Sequence, residues 1–218
     1  AYEIGVRLVG LGDVYKRQLL YNAEDFYINM YEEPELLKAM LDRYCKASYE
    51  IYERMFEAAN NKVDILRCCD DYGTQISTLF STSMWEEFFA ENTKMFADQA
   101  HRHGAYYMQH SCGAVRAIIP QLIQCGVDVL DPIQKVAGMD VDELKKEFGS
   151  YISFQGGVDT QHILPEGSPD EVYNETTRVI KALSPGGGYI LCGSQEFEGD
   201  VPPENICALY EAAKQFIK

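Results

Sequence analysis

Apolar positions along the chain follow two periods, one helical and one strand-like, and the two take turns. From 35 to 59 apolar residues recur at helical spacing (Leu36, Leu37, Met40, Leu41, Tyr44), behind a proline at 34 that suits a first helical turn. A short run at 63–68, bounded by Asn60-Asn61 and Asp70-Asp71, reads as a strand. A second helical pattern covers 83–103, with Trp85, Phe88, Phe89, Met95 and Phe96 on its apolar side. The alternation then continues as strand 105–109, helix 114–124, strand 127–130, helix 140–148, strand 151–155, helix 169–183, strand 189–192 and helix 203–217. Pro203 fits the first turn of the last helix, and Asp200 stands just upstream as a cap candidate.

Five strand-then-helix units joined by short glycine-containing connections predict an α/β fold, a parallel sheet covered by helices. The longer intervals fall after the strands, in the loops that a parallel (β/α)8 TIM-barrel enzyme elaborates. Five units do not close eight strands, so the barrel reading makes this about the last five β/α units. The rival is a five-stranded flavodoxin-like sheet. Residues 1–18 match neither period. The run Gly10-Leu11-Gly12-Asp13-Val14-Tyr15-Lys16-Arg17-Gln18 resembles a translated sequencing adapter. The expectation is a non-native leader over 1–18 and the C-terminal part of a barrel over 19–218.

Composition narrows the partners. An apolar content of 46 % is ample for a core, whereas 34 acidic against 19 basic residues leave a formal net charge of −15. That field repels phosphate backbones and anionic membrane surfaces, so nucleic acid and lipid are excluded as partners. No run of about 18 apolar residues offers a membrane span. The seven cysteines are odd in number and irregular in spacing, and most sit in apolar segments. They read as free thiols in a reducing cytoplasm rather than as disulfide staples.

In a barrel the residues just past each strand face the active site. Those positions hold Asp70-Asp71-Tyr72-Gly73, His110-Ser111-Cys112-Gly113, Asp131-Pro132, Gln155-Gly156-Gly157-Val158-Asp159 and Cys192-Gly193-Ser194-Gln195-Glu196. His110 and Cys112, two apart at a strand end, can point to the same side, and imidazole with thiolate suits zinc. Cys192 is the third-ligand candidate by chemistry, with Glu196 and Asp70 as carboxylate alternatives. Asp70 and Asp71 are candidates for acid and base or for anchoring a substrate. Tyr72, Gln155, Gly156 and Gln195 complete the candidate substrate pocket. The plain alternatives are a loop histidine beside a packed cysteine, and solvated acids in a turn. His101 and His103, at a helix end, suit its negative dipole end and read as structural.

With these strand-end residues in place, the chain resembles the uroporphyrinogen decarboxylase superfamily from about Leu19 to Lys218. The matching stretches are Asp70-Asp71-Tyr72-Gly73, His110-Ser111-Cys112-Gly113, Gly126-Val127-Asp128-Val129-Leu130, Gln155-Gly156-Gly157-Val158-Asp159, and Gly187-Gly188-Tyr189-Ile190 leading to Asp200-Val201-Pro202-Pro203-Glu204-Asn205-Ile206. The resemblance implies a (β/α)8 barrel and one of two activities. Decarboxylases act on uroporphyrinogen without metal or cofactor. Corrinoid-linked methyltransferases move methyl groups between a corrinoid protein and a small methylated substrate or thiol, several with zinc on a His-x-Cys pair and a later cysteine. His110-Ser111-Cys112 matches the methyltransferase pattern. The position aligned with a decarboxylase histidine is Gln195, and the later cysteine should fall near it, whereas Cys192 lies three residues earlier. The expected function is therefore zinc-assisted methyl transfer with a corrinoid protein as partner. The alternatives are uroporphyrinogen decarboxylation and an inactive fragment.

Overall fold

The computed structural model describes residues 8–9, 22–135 and 138–216. The chain divides into two compact units. One takes in the chain up to Asp71 with Phe80–His110 and Pro120–Asp128, and the other takes in Tyr72–Leu79, Ser111–Ile119 and Val129–Lys218.

The first unit carries β1 (Leu8–Val9), α1 (Ala23–Glu32), α2 (Pro34–Ala58), β2 (Ile65–Cys69), α3 (Thr82–Trp85), α4 (Glu91–Arg102) and β3 (Tyr106–His110). β2 pairs in parallel with β1 on one side and with β3 on the other, Cys69 standing opposite His110. Helix α2 buries Leu37, Leu41, Cys45, Ser48, Tyr52 and Phe56, a spacing of three and four that keeps one face inward. Tyr52 then meets Phe96 of α4 edge-on, with ring centres 5.5 Å apart.

Between α3 and α4 lies the largest departure from the expected elements. The helix foreseen over 83–103 is interrupted by a π-helical turn at Glu86–Ala90. One residue more per turn lets the consecutive Phe88 and Phe89 both go under cover, each 4 % exposed. The two histidines after it are structural, as the sequence suggests. His101 Nε2 lies 2.7 Å from an Asp128 oxygen, and His103 stacks on Phe56 and bonds Glu53.

The second unit carries a 3-10 turn at Arg116–Ile118 leading into α5 (Ile119–Gln124, whose later residues belong to the first unit), then β4 (Val129–Ile133), α6 (Val141–Phe148), β5 (Ser153–Val158), α7 (Ile163–Glu166), α8 (Pro169–Leu183), β6 (Tyr189–Gly193) and α9 (Pro203–Lys214). Strand β5 pairs in parallel with β4 and β6. Helix α8 starts on a capping box between Ser168 and Glu171, with Pro169 in its first turn. Leu130, Phe154, Leu164, Val179, Leu183 and Leu209 are fully buried in its core.

Four expectations need correction. Strand β4 begins two residues later than foreseen, because Asp128 is engaged with Tyr107 through both its N–H and its carboxylate. It also runs on through Asp131 and Pro132, which were expected just past its end; the pairing register with β5 shifts between Leu130 and Ile133. Gly156 and Gly157 are strand residues, not loop. A Cβ on Gly156 would stand 2.9 Å from the Ile133 nitrogen, so the glycine serves close strand approach. Asp200 does not cap α9, whose N-cap is Pro202 with no side-chain bond. Helices α1 and α7 and the two-residue strand β1 were not foreseen. The remainder of the proposed leader lies outside the described residues.

A candidate metal centre at the ends of two strands

Strand β2 sorts its side chains by alternation. Cys68 is buried and its thiol donates toward the Tyr52 hydroxyl at 3.7 Å, which assigns that side to the helices. Arg67 and Cys69 therefore share the opposite face. The Arg67 guanidinium joins them, with Nη1 3.3 Å from the Cys69 sulfur and Nη2 2.6 Å from Nδ1 of His110 on β3.

Past β2 the two aspartates part ways. Asp70 is buried, and its N–H donates to the His110 carbonyl. Asp71 is exposed and places a carboxylate oxygen 3.7 Å from His110 Nε2. Past β3, Ser111 turns the other way. It is fully buried, its N–H donates to the Asp131 carbonyl and its hydroxyl accepts the Tyr72 N–H. Cys112 follows His110 by two positions in the chain.

The loop that carries Cys112 is clamped by its glycine. Gly113 has φ +84°, its N–H donates to Gln134 Oε1 at 2.6 Å, and a Cβ there would stand 2.6 Å from the Gly73 carbonyl carbon. The next N–H, of Ala114, donates to the Thr74 carbonyl. From the loop after β6, Gln195 donates through Nε2 toward the Cys112 sulfur at 3.6 Å.

Within one unit Asp71 thus stands beside His110, and within the other Gln195 stands on the Cys112 sulfur. Cys192 pairs in register with Gly157 within β6, and Glu196 is exposed. Tyr72 is 2 % exposed and enters the core. Gln155 donates to the nearly buried carboxylate of Asp131 at 2.9 Å. Sequence reasoning passed over Arg67. The signal was present, a lone cation in the apolar run 63–68 at even spacing from Cys69 and Asp71.

Carboxylate, imidazole and thiolate are donors that zinc accepts, and a site with three protein ligands would leave a fourth position open. The position of Arg67 on His110 bears on when the histidine can serve.

A family model described as uroporphyrinogen decarboxylase (URO-D) matches residues 19–216. The chain belongs to the uroporphyrinogen decarboxylase family. Within it, this URO-D chain is 24 % identical to the uroporphyrinogen decarboxylase of Alkalilimnicola ehrlichii over 194 residues, covering 85 % of this chain and 48 % of that protein. It is also 24 % identical over 185 residues to the methylcobamide:CoM methyltransferase MtaA of Methanosarcina barkeri, covering 85 % and 50 %. A methylated-thiol–coenzyme M methyltransferase of Methanosarcina mazei is 27 % identical over 150 residues, covering 66 % and 39 %. The chain spans about half the length of the first two relatives, and less of the third. A solved methyltransferase from Methanosarcina mazei superposes with a TM-score of 0.78 at 22 % identity, over 96 % of this chain and 58 % of that one. The fold is accordingly that of a parallel (β/α)8 TIM barrel, of which the chain holds about the last five β/α units. Among the described residues no helix is long and apolar enough to cross a membrane.

Proposed function

We propose that this chain carries the metal-binding side of an enzyme that transfers methyl groups between a small methylated substrate or thiol and a corrinoid protein. Asp71 beside His110 at the ends of β2 and β3, with Cys112 two positions further along the chain, carries the reading. The two methyltransferase relatives, whose names specify methylcobamide or methylated thiols as substrates, support it.

His110 and Cys112 would hold zinc, with Asp71 in reach as a third ligand. A bound zinc supplies Lewis-acid charge that keeps a substrate thiol deprotonated near neutral pH. Gln195 directs an N–H at the Cys112 sulfur, which restrains that sulfur's orientation. In the direction of thiol methylation, the thiol gives its proton to solvent and its sulfur attacks the methyl carbon. The sulfur–carbon bond forms as the cobalt–carbon bond breaks, and the electron pair of that bond stays on cobalt.

Free methylcobalamin with a panel of small thiols tests the reading, followed by the visible absorbance of the corrinoid. Chain-dependent demethylation that falls at least about a hundredfold in Cys112→Ser is expected. Methylcobalamin left untouched, with carboxyl loss from a porphyrinogen instead, would replace this reading by decarboxylation.

A further inference from the structure

The bond between Arg67 and His110 fixes more than a ring orientation. A neutral imidazole has one N–H and one lone pair, whereas a guanidinium has donors only. With Arg67 Nη2 2.6 Å from Nδ1, that nitrogen must offer its lone pair. The ring proton is then on Nε2, the nitrogen that stands 3.7 Å from the Asp71 carboxylate. This reverses the usual state of a ligating histidine, which turns a lone pair to the metal and donates its other N–H to an acceptor.

Building on the metal reading above, we propose that Arg67 and the metal ion compete for His110. In the arginine-bound state the Nε2–H of His110 faces the Asp71 carboxylate at 3.7 Å, and the guanidinium holds Nδ1. In the loaded state the proton stands on Nδ1, the Nε2 lone pair is free, and Arg67 has turned away from the ring. The two states exclude each other, because one nitrogen cannot both carry a proton and accept one from Arg67. Cys69 helps to hold the arginine-bound state by accepting from Nη1 at 3.3 Å. Arg67 is thus a positioning residue that sets the affinity of the centre.

Two measurements on the 218-residue chain test this. In the metal-free protein, long-range 1H–15N spectra of the histidine rings, with His110 assigned by His110→Gln, should show the Nε2–H tautomer. Zinc affinity, measured by competition with a chromogenic chelator, should rise about ten- to a hundredfold in Arg67→Met, the worth of one charge-assisted hydrogen bond. An Nδ1–H tautomer in the metal-free wild type overturns the inference. Equal zinc affinity in wild type and Arg67→Met, still lost in Cys112→Ala, also overturns it while leaving the metal centre standing. Absence of zinc binding in all of them removes the metal centre itself.

Discussion

The Gln195 amide nitrogen stands 3.6 Å from the Cys112 sulfur. A residue 83 positions further along the chain therefore reaches the central thiol of the proposed centre. Gln195 also lies near the position where the family resemblance would place a later cysteine ligand. A sulfur at that position should complete the set. Gln195→Cys is predicted to tighten zinc binding at least about tenfold, since thiolate is the preferred ligand of closed zinc sites. Chelator competition measures it, and unchanged affinity would show that position 195 does not reach the ion.

The glycine clamp under Cys112 gives a second prediction. Gly113→Ala places a Cβ 2.6 Å from both the Gly73 carbonyl carbon and the Thr74 oxygen, at a φ of +84° that L-residues rarely adopt. Overpacking and backbone strain together should cost about 2–4 kcal/mol in a denaturant titration. Zinc affinity should fall with it, because the contacts that seat Cys112 are the ones disturbed.

Acid stability should depend on Glu53. The hydrogen bond from Gln99 holds its carboxyl below the usual carboxylate range, aided by His103 and Arg102 against partial burial. A depressed folded value contributes stability that is fully present above the unfolded value of about 4.3 and is lost as pH falls through the folded one. Wild type should therefore lose stability more steeply than Glu53→Gln as pH falls below about 4.3. The variant should be about 1–3 kcal/mol less stable near neutrality. Denaturant midpoints at several pH values check both, and parallel pH profiles would contradict the assignment.

Much of this architecture was legible because apolar period and turn chemistry agree. Helix α8 begins and ends where the pattern places it, at Pro169 and Leu183, since Ser168 and Glu171 cap the start. The strands were located to within about two residues, but their ends were not, because a strand can run through residues that look like breakers. Pro132 and Gly156 sit inside β4 and β5, where the close contact of Gly156 with Ile133 is made by the neighbouring strand and leaves no local trace. The π turn at Glu86–Ala90 was hidden for a similar reason, as its cause is the burial of two adjacent phenylalanines.

Of the site, the sequence singled out His110 and Cys112 by their spacing past one strand. The place of Asp71 beside His110 depends on the pairing of β2 with β3, which sets Cys69 against His110 and which spacing alone does not reveal. Arg67 was passed over because a charge in a strand reads as an edge or an interruption until its partner on the next strand is known.

The central claim is that Cys112 anchors a metal ion. The most direct measurement is zinc content by elemental mass spectrometry, after equilibration with zinc and removal of the excess, for the wild type beside Cys112→Ala. The account predicts about one zinc per chain in the wild type and none in the variant. No zinc in either, or equal zinc in both, would contradict it.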